Sequence, residues 1–212
     1  MKQNDCRISK FSWKEGKITI HDIVIRVETE KDHGIITDLT AKAFETLDVS
    51  DHTEQFVVLA LRRAQALTIS LVAEVDSKVV GHIAFSPVTL SDGTSGWYGL
   101  GPVSVLPGYQ KQGIGKALIN EGLVRLKALG AKGCCLVGHP GYYGRFGFVN
   151  TDEFTLEGVP AEAFFALSFD GRMPKGKVMF HEAFFATGEQ MNIGNISRGA
   201  AESRRKHFKT KQ

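Results

Sequence analysis

The strongest chemical signal in this sequence is a loop at residues 110–115, which reads Gln-Lys-Gln-Gly-Ile-Gly. It follows an apolar segment at residues 97–106, typical of a strand, and precedes an amphipathic segment at residues 114–129, typical of a helix. The first N–H groups of a helix have no intrahelical partner, and the helix dipole adds partial positive charge there. Gly113 and Gly115 have no Cβ, so a ligand can approach the backbone closely. The arrangement predicts an anion site, and phosphate is the usual occupant.

Two common phosphate-binding motifs are excluded by the residues around this loop. A dinucleotide-binding G-x-G-x-x-G turn that began at Gly113 would need a third glycine where the chain has Leu118. A Walker A loop that began at Gly108 would need a lysine after its second glycine, where the chain has Ile114. The pattern that remains is Q-x-x-G-x-G between a strand and a helix.

A second group of residues strengthens this interpretation. Residues 142–148 read Tyr-Tyr-Gly-Arg-Phe-Gly-Phe, and an apolar strand at residues 132–137 separates them from the loop. The loop, the strand and the Y-x-x-x-G-F pattern together resemble the GNAT superfamily of N-acetyltransferases. Residues 138–148 are most similar to its YhbS-like branch, and the resemblance extends over residues 23–186. Two upstream segments look like the third and fourth strands of the family: residues 81–86 and 100–105.

The resemblance implies an α/β fold, the GNAT (acyl-CoA N-acyltransferase) fold, with a mixed, mostly antiparallel central sheet flanked by helices. The hydrophobic pattern agrees, because it predicts the order β-α-α-β-β-β-α-β-α-β-β. In this family the fourth and fifth strands splay apart, and the pantetheine arm of coenzyme A lies in the gap. The implied function is transfer of an acetyl group from acetyl-CoA to a primary amine of a small molecule or a protein, by direct attack in a ternary complex.

The resemblance also assigns residues that bind acetyl-CoA. Backbone amides of residues 111–116 would hold the pyrophosphate, and Lys111 and Lys116 would either add charge or remain solvated. Val103 and Val105 would line the pantetheine arm while their strand edge pairs with its amides, as in strand addition. Core packing is the alternative for both valines. The predicted coenzyme-binding residues are Val103, Ser104, Val105, Gln110, Lys111, Gln112, Gly113, Ile114, Gly115 and Lys116.

Tyr143 is the predicted catalytic residue, because it aligns with the tyrosine that the family places near the sulfur as general acid. A phenol of pKa about 10 can donate to a departing thiolate of pKa about 8.5. The alternative is that Tyr143 only packs, and we expect Tyr142 to pack or to line the acceptor pocket. Residues 141–145, which carry this tyrosine, can make only a short helix, and the family often has an asparagine at the start of that helix. Residues 138–140 read Gly-His-Pro instead, so that contact does not transfer, although His139 could replace it or bind substrate.

The general base is open among four residues. An amine of pKa about 10.4 is almost entirely protonated at neutral pH, so a group must take its proton, directly or through water. Glu45 and Asp48 follow the first helix, where the family admits acceptors, but each could equally be a surface carboxylate. His82 could feed a water chain or be a satisfied core histidine, and His139 could cap a helix. The histidines show no ligand spacing, so we expect no metal.

The charge distribution divides the chain into three parts. The net charge is +3, with +3 on residues 1–20, +4 on residues 187–212 and therefore −4 on residues 21–186. We expect a basic N-terminal extension, a GNAT domain and a basic, flexible tail with these boundaries. The tail supports one alternative function, a catalytically inactive coenzyme A-binding sensor or scaffold that contacts nucleic acid. A short charged terminus is more often only solvated, so we expect no nucleic-acid partner.

Cysteine content and hydropathy indicate a cytoplasmic protein. The three cysteines, Cys6, Cys134 and Cys135, make no disulfide framework, and neighbours in a strand point to opposite faces. No apolar run reaches about 18 residues, so we expect no membrane span. Residues 46–53 and 154–163 are loop-like and carry no recognisable motif, and they are expected to select the acceptor. The last two strands are expected at residues 164–169 and 177–185. The family is often dimeric, so a homodimer is compatible with the resemblance.

Overall fold

The computed structural model describes residues 22–47, 50–139 and 141–188. The N-terminal extension, Asp48 and the tail beyond residue 188 lie outside the described residues. The three-part division of the chain therefore stays a prediction.

Eight strands are present in these ranges: β1 (Val24–Val27), β2 (Ile69–Val75), β3 (Lys78–Leu90), β4 (Trp97–Val105), β5 (Gly133–Val137), β6 (Phe154–Leu156), β7 (Phe164–Ser168) and β8 (Gly176–Phe180). The main sheet has the order β1-β2-β3-β4-β5-β7. Within it only β4 and β5 are parallel neighbours, and every other pair is antiparallel. The predicted mixed, mostly antiparallel central sheet is confirmed.

Three helices cover the two faces of this sheet: α1 (His33–Phe44), α2 (Glu54–Arg63) and α3 (Ile114–Ala128). Successive strand residues point to opposite faces, and β2 shows how this separates the helices. Leu71 belongs to the main apolar core with Leu118 of α3. Its neighbour Val72 packs with Ile36 of α1 and Val58 of α2. The sheet therefore has an α3 face and an α1/α2 face, and a site between its strands can be reached from both.

A small second sheet extends the long strand β3, and here the structure corrects the expected elements. The end of β3 pairs with β8, and β8 pairs in parallel with β6. The sequence pattern predicted a loop at residues 154–163, but Phe154 is fully buried with its ring centroid 5.3 Å from that of Trp97. The last strand ends at Phe180 rather than at residue 185, because a 3-10 helix (Glu182–Phe185) follows, capped by the side chain of His181.

Candidate active site

Strands β4 and β5 are paired over a short length and then diverge. Their parallel pairing covers only Trp97 to Gly99 on β4 and Gly133 to Cys135 on β5. Beyond that point β4 stays paired with β3, and the end of β5 pairs with β7. The second edge of residues 100–105 has no strand partner among the described residues. We call this gap the cleft and the Gly99–Cys135 pair its vertex; the free edge spans about 17 Å, at roughly 3.3 Å per residue.

A bulge in β4 lies just beyond the vertex. Ile83 pairs with Val103 and Phe85 with Leu100, so two steps along β3 face three along β4. The extra residue falls in the cis-peptide pair Gly101-Pro102, and Gly101 has a φ of 151°, in the range that favours glycine. Bulges of this kind bend a strand and redirect its backbone groups, and they are common beside active sites. The departure of β4 from β5 is therefore built into its backbone.

The loop after β4 has the backbone geometry expected of an anion site. Gly113 has a φ of 89°, the left-handed conformation, and immediately precedes α3. The first helical hydrogen bond runs from the Ala117 N–H to the Gly113 carbonyl, so the three preceding amides of the helix are not used by the helix ladder. These amides belong to Ile114, Gly115 and Lys116. A phosphate group fits this cradle without any side chain from the protein.

The two glutamines of the loop act on the loop itself. The Gln110 side-chain amide donates to the Val105 carbonyl at 3.0 Å, and that of Gln112 donates to the Gly108 carbonyl at 3.0 Å. Both were predicted as coenzyme-binding residues on the basis of the motif. The first bond ties the loop to the end of β4, and the second closes the loop on itself, so both support the direction of the amides that follow.

Side chains alternate along the free edge. Ser104 is fully buried, and its hydroxyl lies 3.2 Å from the Thr40 hydroxyl of α1. Val103 and Val105 point to the other face, where both pack against the main core. Val105 Cγ2 is 3.8 Å from the point that a Cβ on Gly115 would occupy. The valines therefore line the α3 side of the cleft, whereas Ser104 can offer only its backbone.

The two adjacent tyrosines follow β5 in a 3-10 turn (Tyr143–Phe146) instead of the short helix expected at residues 141–145. The Tyr143 ring packs directly on Gly138, where a Cβ would collide with it, and its centroid is 5.9 Å from that of Phe165. Burial raises the pKa of Tyr143 to about 12. The phenol consequently stays protonated over the whole physiological pH range.

Tyr142 packs against the main core, one of the two positions expected from the sequence. Its hydroxyl reaches the first turn of α3, 3.4 Å from the point that a Cβ on Gly115 would occupy. The guanidinium of Arg145 lies 4.9 Å from the centroid of its ring, a cation–π contact. Burial raises the pKa of Tyr142, and the charge of Arg145 opposes that shift. Tyr142 therefore spans the α3 side of the cleft, and the absence of a side chain at Gly115 gives its hydroxyl room.

The candidate general bases differ in their exposure to solvent. Glu45 and His139 are exposed, the first directly after α1 and the second directly after β5. His82 is completely buried on β3, opposite Ser104 of β4. Asp48 lies outside the described residues. Of the three described candidates, two are therefore in contact with solvent and one is enclosed.

His82 belongs to a buried polar network on the α1/α2 face. Its Nε2 lies 2.8 Å from the Ser70 hydroxyl, which itself donates to a Glu28 carboxylate oxygen at 2.5 Å. Because the hydroxyl proton is used in that bond, Nε2 must carry a hydrogen and Nδ1 a lone pair. No hydrogen-bond partner of Nδ1 is found in the described part of the chain. Burial lowers the pKa of His82, and the hydrogen bond with Glu28 opposes that shift.

Arg62 of α2 closes this network. Its guanidinium donates to both oxygens of Glu28, at 3.0 and 2.8 Å. Burial alone would raise the pKa of Glu28, but hydrogen bonds with His82, Arg62 and Ser70 lower it to about 2. The paired charges join α2 to the sheet, so the network positions the helix that borders the cleft.

Two aromatic residues, Phe180 and Phe184, lie on the α2 side of the vertex, and the sequence analysis did not predict them as site residues. A Cβ on Gly99 would fall 2.5 Å from the Phe180 ring, and one on Gly101 would fall 3.8 Å from the Phe184 ring. Both rings are partly buried. The only sequence signal for them is the density of phenylalanine after Phe146, a pattern more typical of core and dimer surface than of a cofactor site.

Within the described ranges, no helix is long and apolar enough to cross a membrane. The same ranges contain no cluster of three or more histidine, cysteine or acidic side chains that could hold a metal ion. Cys134 and Cys135 are both free, and they belong to different apolar clusters on opposite faces of β5, as predicted.

Comparison with known proteins identifies the family. Residues 66–150 match the profile of the acetyltransferase (GNAT) domain. The uncharacterized N-acetyltransferase YhbS of Escherichia coli K12 is 36% identical over 127 residues, which is 59% of this chain and 73% of YhbS. A further relative, the uncharacterized N-acetyltransferase YjhQ of the same strain, is 29% identical over 133 residues, 62% of this chain and 72% of YjhQ.

Two solved structures share both fold and sequence with the chain. A GNAT family acetyltransferase from Brucella melitensis, in complex with acetyl-CoA, is 48% identical, has a TM-score of 0.69, and is matched over 77% of this chain and 99% of its own. Escherichia coli YhbS in complex with CoA is 32% identical, has a TM-score of 0.71, and is matched over 79% of this chain and 94% of its own. The cleft, the glycine loop and these similarities lead to one conclusion: the chain belongs to the GNAT family of acetyltransferases.

Proposed function

We propose that this protein is an acetyl-CoA-dependent N-acetyltransferase that acts on a primary amine of a small molecule or a protein. The observation that carries the proposal is the free edge of β4, residues 100–105, which leads directly into the left-handed turn at Gly113 and the amides of α3. The acetyl-CoA and CoA complexes of the two similar structures support the same cosubstrate.

The cleft accommodates the coenzyme in one direction. Its pyrophosphate binds the amides of Ile114, Gly115 and Lys116. The loop adds the positive charge of Lys111, and the first turn of α3 adds that of Lys116. The pantetheine arm runs back along the free edge of β4 and pairs its amides with those of the strand, as an added strand would. The thioester then points towards the vertex, next to Gly101.

The reaction follows from this placement. The neutral amine attacks the thioester carbonyl, a C–N bond forms, and the C–S bond breaks with its electron pair leaving on sulfur. The nitrogen then gives up a second proton to water, which leaves the neutral amide. A free edge N–H of β4 near the bulge stabilises the negative charge that develops on the carbonyl oxygen, because a fixed dipole needs no reorganisation during the reaction. Both substrates are bound together, so no acetyl-enzyme forms.

Tyr143 assists the departing sulfur from the β5 side of the cleft. Its pKa of about 12 lies well above the value of about 8.5 for a free thiol, so it is a weak acid towards the thiolate. The phenol therefore acts chiefly as a hydrogen-bond donor, and the thiolate receives its proton from water after it leaves. This role requires the hydroxyl but not its ionisation.

The acceptor ammonium loses its proton to a group in contact with water. Glu45 and His139 are exposed and meet this requirement. His82 is enclosed, and its Nε2–H is already used in the bond to Ser70. The network of His82 therefore serves the position of α2 and not the proton transfer.

The test is a transfer assay that follows the release of free thiol from acetyl-CoA in the presence of primary amines. Direct attack predicts that initial velocities depend on both substrates with intersecting double-reciprocal lines, and that no acetyl group stays on the protein. Parallel lines with a labelled protein would contradict direct attack. Binding of acetyl-CoA without transfer to any amine would instead support the inactive sensor or scaffold.

A further inference from the structure

The vertex of the cleft has two walls of different chemistry. On the α3 side, Tyr142 and Tyr143 pack against the main core that contains α3. On the α2 side, Phe184 packs in the cluster formed by α2 and the segment after β8. The α3 side of the vertex therefore carries the two tyrosines, and the α2 side carries a phenylalanine that has no polar group.

The rings of Phe180 and Phe184, which we call the aromatic wall, lie directly against the backbone of β4. The Phe180 ring occupies the space that a Cβ on Gly99 would need, and the Phe184 ring makes ordinary contact with the corresponding point on Gly101. The two rings meet edge to face, with centroids 4.9 Å apart and an interplanar angle of 67°. Glycine at both positions of β4 is what allows rings to lie this close to the strand.

This wall is held rigidly. Phe180 is fixed by the pairing of β8 with Val88 of β3. Phe184 is carried on a 3-10 helix whose neighbours Ala183 and Ala186 are buried against α2. Neither ring can swing away without breaking these contacts, so their faces form a constant part of the surface beside the thioester.

We propose that Phe180 and Phe184 form the acceptor-binding wall and select a primary amine carried on an apolar carbon frame, such as an alkylamine or arylalkylamine. This inference rests on the proposed function, because it places the thioester beside Gly101. The tyrosines occupy the α3 side of the cleft, so the acceptor enters from the α2 side and meets the rings. The rings offer no hydrogen-bond donor or acceptor, and they favour groups that give up apolar surface to them.

The expected selectivity follows from the area that each carbon removes from water. A buried methylene contributes about 0.8 kcal/mol, which is about fourfold in kcat/KM when the transition state keeps the contact. Polar amines and diamines gain nothing from this wall, since a second ammonium group loses its hydration there. The preference should rise along a homologous series of alkylamines until the wall is covered.

The experiment measures kcat/KM for ethylamine, butylamine, hexylamine, 2-phenylethylamine and 1,4-diaminobutane with the wild type, Phe184→Ala and Phe184→Leu. The matched control is Phe169→Ala, another partly buried phenylalanine, which contacts Lys127 of α3 on the opposite face. The wild type and the control should gain about fourfold per added methylene. Phe184→Ala should lose at least about tenfold with 2-phenylethylamine and flatten the series, and Phe184→Leu should be intermediate. The dissociation constant of acetyl-CoA should be unchanged in all variants.

Several outcomes would overturn the inference. A flat series or a preference for the diamine in the wild type would show that the wall does not select apolar amines. If kcat/KM rose with alkylamine length as steeply in a folded Phe184→Ala protein as in the wild type, Phe184 would not belong to the acceptor site. A protein that binds acetyl-CoA but acetylates none of the alkylamines would also contradict it. Failure to bind acetyl-CoA at all is a different result, because it removes the proposed function itself.

Discussion

The hydroxyl of Tyr142 lies 3.4 Å from the point that a Cβ on Gly115 would occupy, so the turn after β5 touches the first turn of α3. These two residues are distant in sequence, yet together they close the α3 side of the cleft. The bare position at Gly115 leaves room for the Tyr142 hydroxyl next to the amides expected to hold the pyrophosphate. Tyr142 thus lies at the start of α3, where the pyrophosphate is expected, and Tyr143 lies beside β5.

Substitution of the two tyrosines should separate binding from turnover. We expect Tyr143→Phe to lower kcat on the order of a hundredfold with little change in acetyl-CoA affinity, because the variant loses a donor to the leaving sulfur. Tyr142→Phe should raise the KM for acetyl-CoA several-fold with a smaller effect on kcat. The variant loses the hydroxyl beside the expected pyrophosphate position, and a hydrogen bond from such a hydroxyl contributes about 1 kcal/mol. Steady-state kinetics with acetyl-CoA varied at saturating amine would measure both. The reverse pattern would exchange the roles of the two residues.

The pH profile should show no basic limb from Tyr143. Its pKa of about 12 means that the phenol keeps its proton up to about pH 11. We expect kcat at saturating amine to show no fall between pH 8 and about pH 10. A fall in kcat near pH 9 that is absent in Tyr143→Phe would show that the hydroxyl ionises much more easily than its burial implies.

The buried Glu28 should stabilise the fold through Arg62 and Ser70. Its side chain is 11% exposed, and its pKa is about 2 in the folded protein against 4.5 for the free group. The folded pKa is depressed, so the contribution is present above pH 4.5 and is lost as the pH falls towards 2. We expect Glu28→Gln to reduce the free energy of unfolding by about 3 kcal/mol at pH 7, measured by urea denaturation.

A surface ion pair supplies the control for this prediction. Glu121 pairs with Arg125 one turn along α3, and both side chains are about a third exposed. Glu121→Gln should cost no more than about 0.5 kcal/mol, because such pairs are screened by water. Equal losses in the two variants would mean that the buried network contributes no more than an exposed pair.

His82 should affect stability but not the catalytic pH profile. It is fully buried and its pKa is lowered, so acid protonates it in the unfolded protein first and destabilises the fold below about pH 6.5. We expect His82→Asn to retain the acidic limb of kcat/KM, and Glu45→Gln or His139→Asn to lose it. A limb that disappears only in His82→Asn would identify the buried histidine as the base.

The chemistry of the glycine loop could be predicted from sequence because it is local. Gly113 must adopt a left-handed conformation directly before α3, and the residues that require this lie within a few positions of it. The apolar segments at residues 97–106 and 132–137 likewise predicted β4 and β5 within one residue. The divergence of β4 from β5 was expected from the resemblance to the family.

The parts that were missed depend on contacts between distant segments. Strand β6 has three residues and exists because Phe154 is buried beside Trp97 and pairs with β8 about twenty residues later. The orientation of Tyr142 depends on the space at Gly115, and the positions of Phe180 and Phe184 depend on bare glycines in β4. No local pattern encodes such complementary spaces, so the acceptor wall could be found only from the structure.

The most direct test of the account is calorimetry with acetyl-CoA on the wild type, Gly113→Trp and Gly130→Trp. Gly113 and Gly130 both have positive φ, 89° and 77°, and stand at opposite ends of α3, so the two variants share the same backbone strain. The account predicts micromolar binding to the wild type and to Gly130→Trp, and loss of binding in a folded Gly113→Trp protein, whose indole fills the phosphate cradle. Absence of binding to the wild type, or equal affinity in all three proteins, would contradict it.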